Sequence, residues 1–269
     1  MTTIPMSSGL TVPPPRAVPT ALTTNLAFIG RSVKHSLREV DALLMAIALP
    51  VILMLMFTFV FGGAIQTGGD YVNYVVPGII LTCAGFGASS TAVSVTTDMT
   101  EGIINRFRTM PLRASAVITG HAIASLLRNL VATLVVFAVA LLIGFRPAAD
   151  PIGWLAAFGL IAFYILAITW IFAVLGLLAR TPGAASGYGF GLLFLPYVSS
   201  AFVPVETMPV WLRAFAENQP LTPIIETIRG LLMGTELGAQ PWWALGWCLV
   251  ILLGGYLWGR WLFPRRVSH

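Results

Sequence analysis

The sequence predicts an all-α membrane protein with six transmembrane helices, an N-terminal interfacial amphipathic helix and two short external re-entrant helices before the last span. Three observations predict it. The first is composition: 57% of the 269 residues are hydrophobic and 9% are charged, whereas a soluble domain is about half apolar and about a quarter charged. The second is arrangement. The apolar residues fall in runs of about 20, long enough to cross a hydrocarbon layer of about 30 Å. The third is the basic residues, which collect in alternate loops, as the positive-inside rule requires.

Residues 1–20 are rich in Pro, Ser and Thr and lack an apolar core, so they read as a disordered cytoplasmic tail. In residues 21–41, Leu22, Leu26, Ile29, Val33, Leu37 and Val40 recur at helical spacing, and Arg31, Lys34 and Arg38 form a basic stripe on another face. That pattern suits a helix lying at the membrane surface among anionic headgroups. Residues 42–61 make the first span, kinked at Pro50, and 74–97 the second. The second half of the latter is small and hydroxylated, with Gly85, Gly87, Ser89, Ser90, Thr91 and Ser94. Such residues let helices approach closely or line a wet cavity.

Residues 98–113 form a charged island between apolar runs, carrying Asp98, Glu101, Arg106, Arg108 and Arg113. Ile103, Phe107 and Met110 give it one apolar helical face, so a cytoplasmic helix at about 99–112 that docks on another protein is expected. The third span covers 114–144 and contains Arg128 and Asn129. A mid-span arginine either faces protein or water, or snorkels to a headgroup. The fourth span is 154–178. The fifth is 184–203, where Gly187 and Gly191 have the spacing of a small-residue packing face. Short external helices are expected at 209–217 and 222–233, with Thr222 capping the second, and the last span at 242–263 with Trp242, Trp243, Trp258 and Trp261 as interfacial anchors. Leaving out Arg128, about eleven basic residues fall on the side of both termini and the island, and about three on the other. Both termini and the island are therefore expected in the cytoplasm.

Several function classes are disfavoured. His35, His121 and His269 form no metal-ligand spacing, and Cys83 and Cys248 sit singly in apolar runs. No basic stripe interleaved with aromatics points to nucleic acid. Lys34 is the sole lysine and stands outside any glycine loop, so the chain has no phosphate-binding loop of its own. If ATP energises it, the ATPase is another polypeptide.

Three stretches in order carry a resemblance: YVVPGI at 74–79, EGIINRFRTMPL at 101–112, and SSAFVP at 199–204 with Met208-Pro209 and the NQPLTP run from Asn218, Gln219 and Pro220 to Pro223. From about residue 21 onward the chain resembles the permease subunits of type-2 ABC exporters of the daunorubicin-resistance group. The resemblance implies two permease subunits, a second copy or a homologue, working with two ATP-binding subunits that hold ATP and magnesium, and no cofactor in this chain. The 99–112 helix would then be the coupling helix seated in the ATPase. Glu101, Asn105, Arg106, Phe107, Arg108 and Met110, with Arg31 and Lys34 of the interfacial helix, would make that contact. Ser89, Ser90, Ser94, Gly187, Gly191, Ser199 and Ser200 would line the substrate path, and Asn218, Gln219 and Pro220 would turn the re-entrant region. It implies outward movement of an amphipathic drug or lipid across the cytoplasmic membrane. Polysaccharide or glycolipid export shares this fold, and a non-transporting membrane scaffold is the alternative of another class.

Overall fold

The computed structural model describes residues 40–65, 67, 69–100 and 114–267. The described residues are helical and contain no strand. Helix α1 (Val40–Leu55) passes through Pro50 and continues as a π-helical stretch, Met56–Phe61. It is followed by α2 (Tyr71–Thr100), α3 (Ala114–Leu142), α4 (Pro151–Leu178) and α5 (Pro182–Leu193). After two 3-10 turns come α6 (Val210–Asn218), α7 (Leu221–Met233) and α8 (Gln240–Val267). Four of these helices are long and apolar enough to cross a membrane: Tyr71–Thr100, His121–Leu142, Pro151–Leu178 and Gln240–Leu262.

Helix α2 is the axis of the bundle. Every residue from Val75 to Gly85 is buried, and α1, α3, α4, α5 and α7 all pack on it. Its N-terminal half, the outer one in the expected topology, joins a core in which Val76, Ile79 and Ile80 meet Ile161 and Ile165 of α4 and Ile224, Ile225 and Ile228 of α7. Its C-terminal half, the inner one in that topology, meets Trp170, Val174 and Leu177 of α4 and Leu262 of α8 through Val95. Helix α8 lies on the outside against α4. It buries Ala244, Cys248, Gly255 and Gly259, and leaves Leu249, Val250, Leu253 and Leu257 exposed. An apolar face of that extent suits lipid rather than water.

The ends of the helices follow from local chemistry. Asp150 caps α4 by accepting from the Gly153 amide (2.7 Å), with Pro151 tolerated in the first turn. Thr181 caps α5 in the same way, with Pro182 next. Gly234 closes α7 in the left-handed conformation at φ +66°.

The structure corrects four expectations. The fifth span does not run unbroken over 184–203: α5 stops at Leu193, giving 12 residues and about 18 Å of rise. Pro196 has no amide to donate, so the chain tightens into a 3-10 turn, Leu195–Val198. The Ser199 hydroxyl then donates to the Pro196 carbonyl and accepts from the Ala201 amide, turning the chain away. Thr222 is not a cap but lies inside α7, where its hydroxyl donates to the Ala216 carbonyl of α6 (2.6 Å). The small-residue packing face within the protomer is Gly255 and Gly259 of α8, against Trp170, Ile171 and Val174. Nothing within 4 Å stands over Gly187 or Gly191; the packed glycine of α5 is Gly189, against Phe172. Finally, the helix of the second span runs past its expected end at residue 97 to Thr100 and takes in Asp98.

Candidate functional site

Two constellations on α2 stand out, one at each end. At the outer end, the stretches 74–79, 199–204 and 218–223, more than a hundred residues apart in part, come together. The Tyr71 hydroxyl donates to the Phe202 carbonyl (2.7 Å). Gly78 lies against Ala201 so closely that a Cβ there would stand 2.5 Å from the Ala201 Cβ and 2.6 Å from its Cα. The Gln219 amide, 4% exposed, donates to the Val198 carbonyl (2.9 Å).

Arg229 of α7 holds this cluster. Its guanidinium donates to the Tyr74 carbonyl through Nε and Nη2 (3.1 and 3.0 Å) and to the Ser200 carbonyl (2.7 Å). It also pairs with Glu226 and stacks 3.7 Å over the Tyr74 ring. The planar guanidinium can serve carbonyls, carboxylate and ring face at once, which an ammonium cannot. Pro77, nearly two turns into α2, has no amide to donate to the Asn73 carbonyl, the neighbour of the Tyr74 carbonyl that Arg229 takes. Ser199 and Ser200 are both fully buried in this turn.

At the inner end, α2 and α3 are joined by polar side chains. His121 Nε2 lies 2.8 Å from Asp98 Oδ2. Thr91 and Ser125 share a hydroxyl–hydroxyl bond of 2.8 Å, and Asn129 donates to Ser125 (3.3 Å). Arg128 donates to the Ser90 hydroxyl and lies 3.4 Å from the Gly87 carbonyl. Arg128 is 3% exposed, which places it between α2 and α3 rather than snorkelling to a headgroup. A mid-span arginine on a lipid-facing helix costs about 3 kcal/mol or more, and contacts to α2 offset that cost. Asn129 is buried over Gly87, where a Cβ would stand 1.5 Å from its Oδ1.

The hydroxyls of the small-residue half of α2 fold back on their own helix. Ser89 donates to Phe86, Ser90 to Gly87 and Ser94 to the Ser90 carbonyl. All three residues are half-buried. Gly87 and Gly176 serve as close-approach points, the latter beneath the Ala92 carbonyl and joined by Thr96, whose hydroxyl donates to the Gly176 carbonyl (2.8 Å). Gly187 and Gly191 are exposed on α5, beside Tyr188, Phe190 and Phe194. Asn218 donates to Ala214 at the end of α6, and Pro220 precedes α7. On the exposed face of α6, Glu217 accepts from Arg213 (2.7 Å), and this bond and the carboxylate charge hold the guanidinium above its usual value. Glu101, Asn105, Arg106, Phe107, Arg108 and Met110, together with Arg31 and Lys34, lie outside the described residues.

In the sequence Arg229 is one of the three basic residues on the side away from the termini, and no local pattern marks Tyr71, Gly78 or the Asp98–His121 pair. Arg229 follows Glu226 by one helical turn, which was a local signal for the pair but none for its distant partners. The Gly255–Gly259 spacing is visible in GGYLWG, at 254–259, as a signal equal to that of Gly187 and Gly191.

Residues 24–233 match the family described as ABC-2 type transporter. Over 87% of its length and 82% of the relative's, the chain is 31% identical to a daunorubicin resistance ABC transporter permease protein of Streptomyces coeruleorubidus. It is 24% identical, over 79% of each chain, to a probable doxorubicin resistance ABC transporter permease protein of Mycobacterium tuberculosis.

Proposed function

Because the chain belongs to the ABC-2 type transporter family, a family of multi-pass membrane proteins, we propose that it is the permease subunit of an ATP-driven exporter of amphipathic drugs or lipid-like molecules. The observation that carries the reading is 31% identity to a daunorubicin resistance permease across nearly the whole chain. In support, the outer-end cluster is made by two of the three stretches on which the resemblance rests, 74–79 and the run from 199 to 223, so these form one structural unit.

In this reading the protein crosses the cytoplasmic membrane six times with both termini in the cytoplasm. Helix α5 and the turn after it form the fifth crossing, and α6 and α7 re-enter the outer leaflet. Residues 1–20 are a cytoplasmic tail and 21–41 an interfacial helix. The 99–112 segment couples to a pair of ATPase subunits, which bind ATP and magnesium. Two permeases, identical or homologous, face one another. Ser89, Ser90, Ser94, Gly187 and Gly191 line the path between them, with Ser199 and Ser200 in the turn at its outer end and Asn218, Gln219 and Pro220 at the re-entrant bend. ATP-driven closure of the ATPase pair moves the coupling segment, because ATP binds the closed state more tightly. The few charges on these helices favour an apolar or amphipathic cargo over a sugar polymer.

The test is an uncoupling variant. Arg106→Ala with Phe107→Ala, in a complex that still co-purifies with its ATPase, is expected to lose cargo-stimulated ATP hydrolysis. Unaltered stimulation in that variant would remove the coupling role from this segment.

A further inference from the structure

The α2–α3 seam differs in kind from the other helix seams. Between described residues, side chain to side chain hydrogen bonds joining different helices all fall here: Asp98–His121, Thr91–Ser125 and Arg128–Ser90. Asn129 adds a steric lock in the notch of Gly87. The other seams are looser in this respect. Helix α4 meets α8 through Gly255, Gly259, Trp170 and Val174, all apolar. Helix α2 meets α5 through Gly85 and Leu193, and Gly189 lies over Phe172. One hydroxyl, Thr96 on the Gly176 carbonyl, ties α2 to α4.

From Gly87 to Asp98 the ties cover about 16 Å of helix, about half the thickness of the hydrocarbon layer. They begin beside the 101–113 segment and end at the middle of α3. Thr91, Ser125 and Arg128 are buried, so a bond broken there finds no ready replacement in water. Sliding α3 by one turn, about 5.4 Å, would break all of them together and drive Asn129 out of its notch. Apolar seams such as α4–α8 have no such register and can shear by small steps.

We propose that α2 and α3 are bonded into one rigid lever, which carries displacement of the 101–113 segment to the level of Arg128 without sliding of one helix along the other. The proposal rests on the exporter reading above. Asp98 and His121 act as positioning residues at the lever's inner end. The tie residues Thr91 and Ser125 have no part in the path assigned above, so linking them covalently leaves that path untouched.

The test joins Thr91→Cys to Ser125→Cys in a chain carrying Cys83→Ala and Cys248→Ala, assembled with its ATPase partner in vesicles. The 2.8 Å separation of the native hydroxyls brings the two sulfurs within reach of a disulfide. The oxidised form is expected to transport at the same rate as the reduced form. Loss on oxidation with recovery on reduction would overturn the lever. A second measurement needs no disulfide: spin labels at Thr97→Cys on α2 and Leu127→Cys on α3 report their separation with and without trapped nucleotide. A constant distance supports the lever, and a change approaching the roughly 5.4 Å of one helical turn overturns it. Transport by the reduced form tests the exporter reading itself, so the two failures are distinguishable.

Discussion

At its outer end α2 meets its neighbours mainly through their backbone: Tyr71 reaches the Phe202 carbonyl, Gly78 lies on the Ala201 main chain, and Arg229 takes the carbonyls of Tyr74 and Ser200. At its inner end α2 meets α3 through side chains, in the Asp98–His121, Thr91–Ser125 and Arg128–Ser90 contacts. The difference matters for how each end responds to change. A contact to backbone persists only while the turn keeps its shape, and no substitution in the partner can relieve a clash with it. A contact between side chains can be removed from either side and restored by a second change. The outer end is thus an anchor that no partner substitution can restore, and the inner end a set of firm ties that a paired substitution can replace.

The largest expected effect is at the anchor. Gly78→Ala puts a Cβ 2.5–2.8 Å from the Cβ, Cα and carbonyl oxygen of Ala201. Overpacking of that severity is expected to cost about 3 kcal/mol or more, read as a lowered unfolding temperature in detergent. Ala201→Gly is expected to give little rescue, because the Cα clash at 2.6 Å stays. Full rescue would place Gly78 with the side-chain contacts of the inner end.

Arg229→Ala comes next. It leaves the Tyr74 and Ser200 carbonyls and Glu226 without the guanidinium that serves them. A loss of about 2–3 kcal/mol is expected for breaking such a part-buried charged network. Arg229→Lys should recover only part of it, since one ammonium cannot satisfy that fork.

The inner end should behave differently. Gly87→Ala meets the tip of the Asn129 side chain rather than backbone, 1.5 Å from Oδ1. A cost of about 1–2 kcal/mol is expected, and Asn129→Ala in the same chain should recover most of it. Absence of recovery in the double variant would place Gly87 with the anchor. The smallest effect is expected at Arg213→Ala, where an exposed i, i+4 pair with Glu217 is lost. Its unfolding temperature should match that of the parent, and a marked fall would give α6 a structural weight its surface position does not indicate.

Much of the helical order was legible because each long apolar run is itself the cause of a helix in lipid. The boundaries of α3 and α4 follow directly from where such runs end at charges and prolines, as at Arg146 and Arg180. The break in the fifth helix was written in Pro196, but an apolar stretch of ordinary length on both sides hid it. The anchor was not legible in physical terms. Arg229 lies 155 residues from the Tyr74 carbonyl it serves, and no local pattern encodes that meeting. The serines of α2 posed another difficulty. Composition allows both packing and a wet cavity, and only the structure shows their hydroxyls turned to the helix's own carbonyls. Arg128 was a conspicuous charge with two readings, and burial against Ser90 decides between them.

The measurement that tests the central claim most directly is ATP-dependent uptake of an amphipathic dye into inside-out vesicles that contain this chain and its ATPase partner. The account predicts accumulation that needs both proteins and hydrolysable ATP, and that collapses in the Arg106→Ala, Phe107→Ala variant. Uptake that proceeds equally without this chain, or an assembled complex that hydrolyses ATP yet moves none of a panel of amphiphiles, would contradict it.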